Sequence, residues 1–155
     1  MAFELHLNLD TVQRAQPFPP VCVSGQTPVS EVMAAMGAGT SGCVLVCEDQ
    51  QRLVGIFTER DVLRLMAAGA DLHQPIGNVM SRSPVTVSIA DTVGTAVRIM
   101  SVGGYRRLPV VDGHGRPAGV LGVANILHYL VEHFPEYVYN LPPEPGHTMQ
   151  EREGA

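Results

Sequence analysis

The chain lacks any apolar run long enough to cross a membrane, because its hydrophobic stretches are short and broken by charge or glycine. Its start, Met1-Ala2-Phe3-Glu4, has no basic region leading into an apolar segment, so neither a signal peptide nor a membrane contact is expected. Positive charge is in deficit: 10 basic against 15 acidic side chains give a net charge of −5, which argues against bulk attraction to nucleic acid. Aromatic residues are only 5% of the chain, and none sits in the aromatic-basic motif that stacks and holds bases. Cysteine is scarce too, and the three present, Cys22, Cys43 and Cys47, fit neither a disulfide framework nor a zinc site. On one strand Cys43 and Cys47 would stand about 13 Å apart, too far for a bridge. Reduced thiols in a cytoplasmic protein are therefore expected. Cys22 and Cys43 fall in apolar strands with no acid or base nearby in sequence, and they read as buried structural thiols rather than nucleophiles. The six histidines are scattered, His128 and His133 being a poor chelating pair, so no metal site is assigned.

What remains is a chain of 155 residues with 45% hydrophobic content, enough for one compact domain or two small ones sharing a core. The alternation Phe3, Leu5, Leu7, Leu9 suggests an edge strand or a lead-in arm before the prolines at 17, 19 and 20. Val21-Cys22-Val23 reads as a short strand, and Thr27-Pro28 as a helix start with a threonine cap. Gly42 to Cys47 and Leu53 to Phe57 form hairpin strands around a polar turn. A helix follows from Glu59, its apolar residues Val62, Leu63, Leu65 and Met66 covering a wide face. At the strand-to-helix join stands Gly55-Ile56-Phe57-Thr58-Glu59-Arg60-Asp61. A hydroxyl and a carboxylate three residues apart at a helix start can form a capping box, and they also suit the vicinal hydroxyls of a ribose.

The pattern then repeats. A shift of 64 residues without gaps lays Pro20-Val21 on Pro84-Val85, Val29 on Val93, Met36 on Met100, Val46 on Val110, Gly55 on Gly119 and Leu63 on Leu127. Each half is a β-α-β-β-α unit too small to bury its own sheet, so the halves should pack on each other. The division expected is an N-terminal arm over 1–18, repeats over 19–70 and 83–134 separated by a connector over 71–82, and a C-terminal arm over 135–155. That last arm should dock through Phe134, Tyr137, Tyr139 and Leu141.

Together the repeat, the segment Gly55 to Asp61 and the strand Arg107-Leu108-Pro109-Val110-Val111-Asp112 resemble a tandem pair of CBS domains, the regulatory repeat of the cystathionine-β-synthase type, over roughly residues 19 to 134. The resemblance implies an α+β fold of two pseudo-twofold related repeats joined through their sheets, with two clefts. It implies binding of AMP, ADP or ATP, less readily S-adenosylmethionine, to control another protein, with no catalytic cofactor and with magnesium accompanying ATP at most. Carried over residue by residue, one cleft combines Thr58, Arg60 and Asp61 with Pro84, Val85, Thr86, Tyr105, Arg106, Arg107 and Leu108. Asp61 would accept from the ribose, Arg107 would hold the α-phosphate, and Tyr105 would cover the base. The other cleft departs from the pattern. Gly122 and Asn125 stand where Thr58 and Asp61 do, and opposite them Gly42 and Cys43 replace Arg106 and Arg107, with Cys22 in the same degenerate cleft. One occupied cleft per chain is expected, in a homodimer that regulates an unknown partner without turnover. The alternative is a ligand-independent dimerisation or interaction module with vestigial clefts.

Overall fold

The computed structural model describes residues 2–39, 41–49 and 51–139. The chain opens with helix α1 (Ala2–Leu9) and a 3-10 turn at Val12–Ala15. The first repeat follows as β1 (Cys22–Val23), α2 (Val29–Ala38), β2 (Cys43–Glu48), β3 (Arg52–Thr58) and α3 (Glu59–Ala68). A second 3-10 turn, Ile76–Asn78, leads into β4 (Ser81–Arg82). The second repeat is β5 (Val87–Ser88), α4 (Val93–Gly103), β6 (Arg107–Val111), β7 (Pro117–Gly122) and α5 (Val123–His133), and α6 (Pro135–Tyr139) comes last. The strands make two sheets, β1-β2-β3-β4 and β5-β6-β7. In each, a short strand runs parallel to the first hairpin strand, and the hairpin register slips at the same place, Val46/Cys47 and Val110/Val111. The sheets face each other through Cys43, Leu45 and Val120, with Leu53 and Ile56 packed alongside.

Two segments cross between the repeats. Val12 donates its N–H to Asp91 O at 2.8 Å, and Ile76, 64 residues later, donates to Thr27 O at 2.8 Å. Val93 to Asp10 O (2.8 Å) and Val29 to Gln74 O (3.0 Å) are the matching return bonds. Val12 and Ile76 are both 0% exposed, Val12 in the core of the second repeat and Ile76 in that of the first. Burying such a side chain stabilises by about 1.5–3 kcal/mol, so each turn fastens its segment to the opposite half. Gly55 and Gly119 make this crossing possible. A Cβ at Gly55 would run into the Met80 sulfur, and one at Gly119 would stand 3.0 Å from Phe18 O.

Several local expectations need correction. Residues 2–9 form a helix rather than an edge strand: the segment Ala-Phe-Glu-Leu-His-Leu-Asn-Leu has no β-branched residue, Leu, Ala and Glu favour helix, and the helix packs against α4. Thr27 does not cap α2; Pro28 takes that position and the helix begins at Val29. The wide apolar face of α3 is only half used, since Leu63 is 69% and Met66 57% exposed. Cys22 is exposed rather than buried, because β1 is a sheet edge, and its thiol lies beside that of Cys47. Phe134 is buried in the second core as expected; Leu141 lies outside the described residues, as do the side chains of Tyr137 and Tyr139.

Candidate functional site

Strand β3 runs directly into α3, and Thr58 sits at the join in extended conformation. Asp61 Oδ2 accepts from the Thr58 N–H at 2.9 Å and from Thr58 Oγ1 at 3.2 Å. The capping reading is thus realised, and Asp61 Oδ1 stands 4.0 Å from Arg64 Nη1. The negative side chains Glu59 and Asp61 also suit the positive end of the helix.

Beside this helix start lies a cavity of about 960 Å³ walled by both repeats. Seven of the residues singled out from sequence line it: Thr58 and Arg60 from one side, and Pro84, Val85, Tyr105, Arg106 and Arg107 from the other. Asp61, Thr86 and Leu108 are not among the lining residues; Asp61 and Thr86 are half-buried and Leu108 is wholly buried in the second core. Sequence reasoning did not single out Ser41, Glu59, Arg82 or Ser83, which also line the cavity. Glu59 lay inside the motif already quoted, whereas Arg82 and Ser83 reach the wall only because the crossing segment carries them there. Ser83 has a φ of 47° directly before Pro84, a combination that costs about 1–3 kcal/mol and sets the direction of Pro84 and Val85. Among the described residues that line it are four arginines, Arg60, Arg82, Arg106 and Arg107, and one acid, Glu59, so the groove favours anions. Arg82 Nη2 donates to Gly77 O at 3.0 Å, and Arg107 Nη2 stands 3.8 Å from Glu59 Oε2.

The corresponding residues of the second repeat are engaged differently. Asn125 is 6% exposed; its Oδ1 accepts from Gly122 N at 2.7 Å, and its Nδ2 donates to Gln16 O at 3.0 Å. Its amide fastens the crossing N-terminal segment to the start of α5. Cys43 is buried between the sheets, where burial pushes its thiol up despite the neighbouring Arg107. Burial and the adjacent Cys22 thiol push Cys47 up to about 12, so neither Cys43 nor Cys47 is a thiolate at neutral pH. Among the described residues no group of three or more His, Cys, Asp or Glu is placed to hold a metal ion, and no helix is long and apolar enough to cross a membrane.

This doubled architecture, with a groove walled from both halves, defines a class of paired β-α-β-β-α repeats. The CBS domain family model matches the chain twice, at residues 15–68 and 76–132, and the chain belongs to that family. A CBS domain protein from Pyrobaculum aerophilum, solved in complex with AMP, superimposes with a TM-score of 0.71 at 26% identity, covering 79% of this chain and 96% of that one. A CBS-domain containing protein from Agrobacterium tumefaciens gives 0.67 at 25% identity over 76% of this chain and 97% of its own. Among curated relatives, a 17.7 kDa protein of Acidianus ambivalens is 28% identical over 104 residues, covering 67% of this chain and 63% of its own length. A meiotically up-regulated protein of Schizosaccharomyces pombe is 34% identical over 124 residues, or 75% of this chain and 17% of its own. The chain thus spans less than two thirds of the length of these curated relatives.

Proposed function

We propose that the chain is a non-catalytic regulatory module that binds an adenosine nucleotide in the inter-repeat groove and passes its ligand state to a partner protein. The observation that carries this reading is the convergence of Thr58 and Arg60 with Val85, Tyr105, Arg106 and Arg107 around one cavity. On this reading Asp61, which lies outside the cavity lining but is hydrogen-bonded to Thr58 within it, meets the ribose hydroxyls with its Oδ1, the backbone at Val85 meets the adenine edge, Tyr105 covers the base and Arg107 takes the α-phosphate. The AMP complex of the Pyrobaculum aerophilum relative supports the ligand class. The surplus of guanidinium groups favours AMP, ADP or ATP over the cationic S-adenosylmethionine. Ligand that binds only the folded state raises the thermal midpoint, so each compound is titrated against the purified protein with calorimetry for the stoichiometry. A rise with at least one nucleotide and one ligand per chain is expected; no shift with any of them, or two equivalent sites, overturns the reading.

A homodimer belongs to the same proposal. Leu63 and Leu127, 64 residues apart in sequence, are 69% and 57% exposed, with Met66 and Val123 at 57% and 46%. Such a set on the equivalent helices α3 and α5 suits burial against a second copy. Sedimentation should show a dimer that Leu63→Glu together with Leu127→Glu converts to monomer.

A further inference from the structure

We propose that Glu59 is a specificity-determining residue of the groove, its carboxylate competing with a ligand's phosphate for Arg107. The inference rests on the adenosine-nucleotide reading above. Glu59 opens α3 in the first repeat and Arg107 opens β6 in the second, so their contact at 3.8 Å spans the two halves. Gly42 gives the pair its place. A Cβ there would stand 2.5 Å from Arg107 Nη2 and 2.6 Å from Glu59 Oε1, and the φ of +69° at this position disfavours any other residue. The charged ends of both side chains therefore lie in space that a glycine leaves open. The Glu59 N–H also donates to Gly42 O at 3.3 Å, which fixes the start of the helix over that space.

Among the described residues Arg107 is the groove arginine held by a carboxylate; Arg60 and Arg106 have no such partner. A phosphate that takes Arg107 has to displace Glu59 and then lie close to its negative charge. The side chain of Glu59 is 67% exposed, so it can swing to solvent, whereas that of Arg107 is 31% exposed and stays. Glu59 thus lowers the affinity for phosphorylated ligands and leaves a bare nucleoside untouched.

Calorimetric titration of AMP and of adenosine into wild type, Glu59→Gln and Glu59→Asp tests this. Glu59→Gln should bind AMP about five-fold more tightly, with adenosine affinity unchanged. Glu59→Asp, which keeps the charge on a shorter arm, should fall between. If AMP binds wild type and Glu59→Gln equally well, or the variant less well, the competition is refuted while the nucleotide reading stands. An equal gain for adenosine refutes it too, since phosphate would not be what is sensed. If neither AMP nor adenosine binds any of the three proteins, this inference falls, and the nucleotide reading falls with it only if ADP and ATP fail to bind as well.

Discussion

Asp61 and Asn125 occupy the same position of equivalent helices, 64 residues apart, and their environments divide them by what each side chain can donate. Asp61 accepts two bonds from Thr58 and keeps an oxygen turned elsewhere. Asn125 accepts from Gly122 N and donates to Gln16 O, which an amide can do and a carboxylate cannot. A carboxylate there would confront the Gln16 carbonyl with a second acceptor. The second motif is therefore committed to holding the crossing N-terminal segment, and its missing charge follows from that task. The facing strands differ in the same way: Arg107 reaches across into space left by Gly42, so a residue of the degenerate cleft makes room for a cation of the first.

The comparison breaks most sharply at Asp61. Asp61→Ala should weaken AMP binding by about ten- to a hundred-fold, the effect of losing a charge-assisted bond, as read by calorimetry. The same change should lower stability by only about 1 kcal/mol through the lost cap. Asn125→Ala should do the reverse. It leaves the buried Gly122 N–H and the Gln16 carbonyl unpaired, so stability to urea should fall by about 1–3 kcal/mol while AMP affinity and stoichiometry hold. If Asn125→Ala abolished AMP binding in folded protein, or if Asp61→Ala left it intact, the division of labour between the two helix starts would be wrong.

Much of this contrast was legible in the sequence because it depends on local chemistry repeated at a fixed interval. The hairpins, the joins at Thr58 and Gly122 and the lost hydroxyl and charge of the second motif all follow from residue type and spacing. The partner of Asn125 did not, since Gln16 lies 109 residues away and nothing in its own neighbourhood marks it. The repeat does extend upstream, to Asp10 opposite Gln74 and Val12 opposite Ile76, but these pairs share no identity and become visible only through their matching backbone bonds. The helix at 2–9 was missed because alternating leucines mimic a strand, although no β-branched residue supports one. Glu59 was passed over because an acid at a helix start is satisfied by the dipole alone, and its reach to Arg107 depends on how the two repeats meet.

The smallest expected effect separates the two hairpin turns. Asp112 holds its own turn, with Oδ1 accepting from His114 N at 2.8 Å and Arg116 N at 3.0 Å. Its equivalent Glu48 reaches out of the turn, accepting from Gly25 N at 2.9 Å; both hairpins carry a positive φ at the equivalent residues Gln51 and Gly115, and the first adds another at Asp49. The backbone N–H groups of Arg116 and His114 hold the Asp112 carboxyl below the usual carboxylate range. A folded-state pKa that is depressed means stability present above the unfolded value, about 3.9, and lost as pH falls through the lower folded value. Asp112→Ala should therefore lower the thermal midpoint slightly at neutral pH, and the gap from wild type should close as the solution is acidified below about pH 4. Asp112→Asn, which keeps the accepting oxygen without the charge, should start from a smaller gap at neutral pH and change by the same amount on acidification, because the titrating group belongs to the wild type. A gap for Asp112→Ala that stays constant into acid would mean that the second turn is held, like the first, by backbone conformation rather than by its carboxylate.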